Sequence, residues 1–204
     1  HPFYQAWNEG KLTLNTLREY SKQYYAQVKA FPSYVSAVIS QCEDVKIQQM
    51  LLENLREELE GVENHPELWL RFAESLGVSR EEVNNADLLH STMESVEILK
   101  HLTQSSDFRL GIAALYAYES QIPAVAETKR LGLQSMYGIT DQRGLDFFSI
   151  HETADLGHRQ VEKSILGRSC LDEQSQCNVL AAASTASEAL WKFLDGMQEE
   201  CLVS

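Results

Sequence analysis

The sequence predicts an all-α domain of seven or eight helices that spans residues 1–204. Glycine and proline are scarce, with ten and four among 204 residues, which favours long uninterrupted elements. Capping residues precede apolar runs with helical spacing at several places. No stretch alternates between apolar and polar residues over more than a few positions, and no Gly-, Ser- or Pro-rich linker divides the chain.

In the first half, Thr13 caps a helix that Phe31 and Pro32 interrupt, because proline disfavours a helical conformation at the residue before it. Pro32 then begins the next helix at its first position, where the missing N–H costs nothing. Asp44 caps a third helix, which Gly61 stops or bends. The elements predicted here are 14–30, 32–41, 45–60, 66–76, a short segment after the capping box 79–82, and 88–103.

The second half contains longer predicted helices. Asp107 begins an apolar helix that bends near Pro123 and ends at Gly138, since proline lacks the N–H and clashes with the preceding turn. Asp141 begins a continuous helix over 141–166. The last helix covers 172–200 and closes the bundle.

Charge and cysteine content limit the partners of the chain. Seventeen basic and 30 acidic residues give a net charge of −13, which disfavours nucleic acids and anionic membranes as partners. No apolar run approaches 18 residues, so we expect no membrane span. The four cysteines form no CxxC motif, and we expect reduced thiols and a cytoplasmic location.

Three ligand-type side chains recur on one predicted helix. His151, Asp155 and His158 occupy positions i, i+4 and i+7 of the helix 141–166, so they would share one face. Two imidazoles and a carboxylate on one face form half of a metal site. The alternative is a solvated polar face.

Two further places carry similar chemistry. Glu58 and His65 lie two turns apart on one face if their helix continues past Gly61; alternatively they are ordinary polar residues. Glu119 lies in an apolar helix, where a carboxylate is costly unless it is paired or bound to a metal. Its alternatives are an ion pair or a hydrogen bond to a tyrosine. Together, the six residues suit a pair of iron or manganese ions, and the absence of cysteine among them disfavours structural zinc.

Several motifs resemble those of the CADD family, proteins associating with death domains, which is related to PqqC and TenA. The resemblance rests on FYQAW at 3–7, KAFP at 29–32, NHPELW at 64–69, YESQIP at 118–123, and HxxxDxxH at 151–158. It implies a haem-oxygenase-like helical bundle without haem that holds a dinuclear metal centre, Fe/Fe or Fe/Mn. The ligands implied by position are Glu58, His65, Glu119, His151, Asp155 and His158.

The resemblance also implies an activity. The family is linked to the formation of p-aminobenzoate, a folate precursor, by an oxygenase that consumes one of its own tyrosines. That tyrosine matches Tyr4, a second tyrosine near the site matches Tyr20, and the proposed amino donor matches Lys129. Without the resemblance, Lys129 would be interpreted as an exposed helix lysine. O2 and a reductant would be cosubstrates, and relatives suggest a homodimer. Binding to death domains is not transferred to this chain.

Three alternatives remain open. One is a metal-free, PqqC-like oxidase of a bound small molecule, and another is a TenA-like hydrolase. The TenA-like reading is disfavoured because residues 113–120 contain no cysteine nucleophile. The third is a non-enzymatic interaction protein in which the six polar residues form salt bridges.

Overall fold

The helices account for most of the described chain. The computed structural model describes the backbone of residues 1–152 and 154–202, and the side chains of 1–152 and 156–200. Within these residues it contains eleven α-helices and no strand, which confirms the all-α prediction. The helices are α1 (Pro2–Asn8), α2 (Leu14–Gln41), α3 (Val45–Leu59), α4 (His65–Ser75), α5 (Arg80–Asn84), α6 (His90–Thr103), α7 (Phe108–Glu119), α8 (Ile122–Met136), α9 (Gln142–His151), α10 (Ala154–Ser169) and α11 (Glu173–Leu202).

The first helix was not among the predicted elements. The side chain of His1 caps α1 by accepting a hydrogen bond from the backbone N–H of Phe3, and Pro2 occupies the first turn. Phe3 and Trp7 are buried on one face of this short helix. The helix forms because tertiary packing stabilises it, since seven residues are too few to be helical alone.

The predicted break at Phe31 and Pro32 is wrong, because α2 runs through it as one helix of 28 residues. Proline inside a helix loses one backbone hydrogen bond. Here the helix buries Val28 and Phe31 before the proline and Val35 after it. Burial of this apolar face outweighs the local cost, so the helix continues.

Two predicted long helices are instead split. The helix predicted over 107–138 ends at Glu119 and resumes at Ile122, with Pro123 in the first turn of α8. The helix predicted over 141–166 ends at His151, and α10 begins at Ala154. At the end of α9, the side chain of His151 bonds to the carbonyl of Phe147, and Glu152 pairs with Arg130 of α8. These contacts fix the last turn of α9 against α8.

The helix ends converge where the candidate ligands lie. Glu58 is the penultimate residue of α3, and His65 is the first residue of α4. Glu119 is the last residue of α7, and His151 is the last residue of α9. Helix α4 packs against α9, while α10 packs against α7 and α3, which brings these ends together. Among the described residues, no helix is long and apolar enough to cross a membrane.

Candidate metal centre

A carboxylate and two imidazoles converge from three helices. Glu58, His65 and His151 are buried, with 4%, 4% and 7% of their surfaces exposed. One potential ligand atom of each lies within 4.8 Å of the others. Nδ1 of His65 lies 2.9 Å from Oε2 of Glu58, and the two imidazole centroids are 4.3 Å apart. This geometry can hold one metal ion, since carboxylate and imidazole are ordinary ligands of iron and manganese.

Glu58 and His65 were expected to share one face only if their helix continued past Gly61, and it does not continue. Helix α3 ends at Leu59, and Gly61 adopts a left-handed conformation with φ of +82°. The chain turns there, and Asn64 caps α4 by accepting a hydrogen bond from the N–H of Glu67. The turn returns His65 to Glu58, so the two side chains meet although no single helix carries both.

The ring of His151 has a fixed orientation. Its Nδ1 lies 2.6 Å from the carbonyl oxygen of Phe147. A carbonyl only accepts hydrogen bonds, so Nδ1 carries a proton, and in the neutral ring Nε2 is the nitrogen with the lone pair. Such a backbone partner is what commonly fixes a metal-binding histidine.

A second group lies at the junction of α7 and α10. Nδ1 of His158 is 3.2 Å from Oε1 of Glu119, and its Nε2 is 3.0 Å from Oε2 of Glu57. The side-chain amide of Asn54 donates to Glu119 at 3.1 Å. Glu57 is largely exposed, but its carboxylate orients His158 from the solvent side.

The carboxyl group of Glu119 is held in its charged form. Its burial alone would raise the pKa, but hydrogen bonds from His158, Glu162 and Asn54 lower it below the ordinary range. The buried Oδ1 of Asn54 has no hydrogen-bond partner among the described residues. A buried carboxylate in contact with an imidazole is typical of a cation site. The buried oxygen beside it, which lacks a hydrogen-bond partner, fits the same interpretation.

Five of the six predicted ligands can therefore be placed, and they form two neighbouring groups. Asp155 belongs to α10 by its backbone, but its side chain lies outside the described residues. The assumption that His151, Asp155 and His158 share one continuous helix is wrong, because the helix breaks after His151. His151 contributes to the first group and His158 to the second.

Lys129 lies in a cage of aromatic rings, not on the surface. Only 4% of it is exposed. Its Nζ donates to Oη of Tyr20 at 2.6 Å and to Oη of Tyr4 at 3.2 Å. The ring centroids of Tyr4, Trp7, Tyr20 and Tyr24 lie between 4.4 and 5.8 Å from Nζ. The three residues that the resemblance singled out thus form one cluster.

Burial changes the protonation of this cluster. It lowers the pKa of Lys129 to about 7 and, despite a hydrogen bond from Tyr20, raises the pKa of Tyr4 to about 12. Burial also raises the pKa of Tyr20 well above its usual value. At neutral pH both phenols are therefore protonated, while a large share of the lysine is a neutral amine with a free lone pair.

Two more tyrosines connect this cluster with the candidate metal ligands. Tyr24 stacks on Tyr20 at 5.4 Å, and its hydroxyl lies 2.8 Å from that of Tyr118. Tyr118 directly precedes Glu119. Both tyrosines line a cavity that Lys129 and four of the candidate ligands also line. Sequence reasoning gave neither tyrosine a role, although Tyr24 follows Tyr20 by one helical turn.

The fold and the site define a haem-oxygenase-like helical protein with a candidate carboxylate and imidazole metal centre. The sequence model of a family described as iron-containing redox enzymes matches residues 18–191. The chain belongs to this family. It is therefore an enzyme, and its family indicates a metal cofactor.

Individual relatives agree with this assignment. A 4-aminobenzoate synthase from Nitrosomonas europaea is 42% identical over 98% of this chain and 85% of its own length. A domain from Shewanella denitrificans with a haem-oxygenase-like fold superposes with a TM-score of 0.84 at 20% identity, covering 98% of this chain and 84% of that one. A CADD-like protein from Nostoc punctiforme gives a TM-score of 0.75 at 16% identity, with 98% and 87% coverage. These findings confirm the family resemblance and the fold class.

Proposed function

We propose that the chain is an O2-dependent oxidoreductase that forms p-aminobenzoate for folate synthesis. In this proposal the ring comes from its own Tyr4 and the nitrogen from Lys129. The observation that carries the proposal is the 3.2 Å contact between Nζ of Lys129 and Oη of Tyr4, beside the candidate metal ligands. The similarity to a protein named 4-aminobenzoate synthase supports the identity of the product.

A cavity lies between the Lys129 cluster and the candidate metal ligands, and its size suits a small oxidant. It is lined by Glu58, His65, Glu119, His151 and Lys129, and its volume is about 30 Å³. A cavity of this volume admits one or two water-sized molecules. It suits a small molecule such as O2.

Two bound ions, iron with iron or iron with manganese, would supply the activation of O2 with electrons from an external reductant. The chain's own part is to hold the ligands in place. His151 donates through Nδ1 to Phe147, so Nε2 is the ring nitrogen that would bind an ion. His158 contacts Glu57 through Nε2 and Glu119 through Nδ1, and an ion bound by Glu119 would take the place of the proton on Nδ1.

The aromatic cage prepares Lys129 as a nitrogen nucleophile. An ammonium group has no lone pair, so the lowered pKa is what makes the amine reactive near neutral pH. The protonated hydroxyl of Tyr20, 2.6 Å away, positions Nζ. The ring of Tyr4 then lies within reach, with its centroid 4.4 Å from Nζ.

The proposed reaction balances as follows. The Cα–Cβ bond of Tyr4 breaks, and Cβ is oxidised to the carboxyl carbon of the product. A bond from Nζ of Lys129 replaces the phenolic C–O bond, and the oxygen leaves as water. Two-electron oxidation of Cε to an imine and hydrolysis by water then break the Nζ–Cε bond and leave an aldehyde at position 129, while Cα at position 4 takes a proton and becomes glycyl. The two carboxyl oxygens come from O2 or water. Six electrons in total pass from Cβ and Cε to O2, whose remaining oxygen is reduced to water, so each chain turns over once.

The experiment is anaerobic loading of the protein with iron, or with iron and manganese, followed by reductant, air and an assay for p-aminobenzoate. We expect at most one product molecule per chain from the unmodified protein and none from Tyr4→Phe. Tyr25→Phe is the matched control, a tyrosine of α2 whose charged neighbours are Arg80 and Glu67. Undiminished product from Tyr4→Phe would refute the role of Tyr4.

A further inference from the structure

A third carboxyl group lies in the second group of candidate ligands. Glu162 belongs to α10 and follows His158 by four residues, one helical turn, so both side chains share a face. Only 1% of Glu162 is exposed, the least of the buried acidic residues described. Its carboxyl group lies beside the carboxylate of Glu119 and helps to lower the pKa of that residue.

The surroundings of Glu162 are rich in oxygen. Glu162 and His158 line a recess together with Asn54 and Glu57. Asn54 is 4% exposed, and its Oδ1 is the buried oxygen without a hydrogen-bond partner described above. Its amide nitrogen is already used, because it donates to Glu119. An additional acceptor buried beside two carboxyl groups calls for a cation or for water bound to one.

Burial at this place is costly without a cation. A carboxylate removed from water loses its hydration, and two adjacent carboxyl groups cannot both ionise without repelling one another. A divalent ion between Glu119 and Glu162 offsets both costs, and oxygen ligands are those that iron and manganese accept readily. The helical register places Glu162 on the side of α10 that already presents His158.

We propose that Glu162 is a further protein ligand of the second ion, alongside Glu119 and His158. This inference rests on the proposed function, because that function requires two ions. It adds a residue outside the six that the sequence motifs supplied. The second group then contributes two carboxylates and one imidazole from described residues, against one carboxylate and two imidazoles in the first.

The test compares metal binding in four proteins: the unmodified chain, Glu162→Gln, Glu162→Met and the control Glu127→Gln, which removes an exposed carboxylate from α8. Each is loaded anaerobically with Fe(II) or Mn(II) and analysed for metal content and affinity. The melting temperature of each metal-free protein is measured as well. Activity is not needed for any of these readouts.

We expect two ions in the unmodified chain and in Glu127→Gln. In both Glu162 variants the affinity for one ion should fall at least about tenfold, the lower end of losses seen near metal sites. The metal-free variants should melt at the same temperature as the unmodified protein or higher, because a buried charge has been removed.

Two outcomes would overturn the assignment of Glu162 alone. One is two ions bound with unchanged affinity in both variants. The other is a metal-free variant that melts well below the unmodified protein, which would show that Glu162 serves the fold instead. If the unmodified chain binds no ion, the proposed function fails together with this inference, so the two failures are distinguishable.

Discussion

Replacing Lys129 by methionine should stabilise the metal-free protein in a way that depends on pH. Burial lowers the pKa of Lys129 from 10.5 to about 7. In the unfolded chain the lysine keeps its proton up to its ordinary pKa, whereas the folded protein releases it near neutrality. Between these two values the unfolded state binds more protons, so raising the pH stabilises the folded state. Methionine has a similar length and no charge.

The magnitude follows from the two pKa values. With 1.36 kcal/mol per pKa unit, the buried lysine costs the folded state about 4 kcal/mol at pH 7 and about 2 kcal/mol at pH 9. The advantage of Lys129→Met over the unmodified protein should therefore shrink by about 2 kcal/mol between these pH values. Lost hydrogen bonds to Tyr4 and Tyr20 shift both measurements alike and leave this difference intact.

The assay is urea denaturation of both proteins at pH 7 and pH 9, with a chelator present so that metal binding does not contribute. Groups other than Lys129 are common to both proteins and cancel in the comparison. If the difference in the free energy of unfolding is the same at both pH values, Lys129 does not titrate near neutrality. Lys129 would then not be a neutral amine nucleophile near neutral pH.

Three further outcomes follow from the structure. Glu57→Gln should weaken binding of one ion by about 10- to 100-fold, as measured by metal titration, because Glu57 orients His158; unchanged affinity would contradict that role. Gly132→Ala should cost about 1–3 kcal/mol in urea denaturation, since the added Cβ would lie 2.9 Å from the ring of Trp7 and displace α1 with Tyr4; a neutral effect would show that this packing is loose. Chelation should lower the melting temperature of the iron-loaded protein, because bound metal stabilises only the folded state, and an unchanged temperature would argue against a site in the folded protein.

The periodicity of apolar residues was sufficient to predict the all-α class, and residue chemistry was sufficient to select the candidate ligands. Glu119 illustrates why. A single carboxylate in an apolar helix is costly unless it is paired or bound to a metal, and in the structure it is buried beside His158. The reason given for pairing Glu58 with His65 was wrong, because Gly61 turns the chain between two helices. Glu58 and His65 therefore meet although no continuous helix joins them, whereas His151 and His158 fall into separate groups.

What the sequence did not reveal depends on tertiary packing. Local rules place a break at Pro32, but burial on both sides of it keeps α2 continuous. Lys129 has the sequence context of an exposed lysine, and only the packing of α1 and α2 around α8 encloses it. Glu162 was overlooked although it follows His158 by one turn, since an acidic residue in a helix is usually exposed and only its burial distinguishes it.

In the proposed reaction, Tyr4 supplies the ring of the product. The most direct measurement uses protein produced with ring-labelled tyrosine, loaded with metal and exposed to reductant and air in unlabelled buffer. We expect p-aminobenzoate to carry the ring label and the peptide containing position 4 to lose the mass of the tyrosine side chain. Unlabelled p-aminobenzoate, or product formed while the Tyr4 peptide keeps its mass, would contradict it.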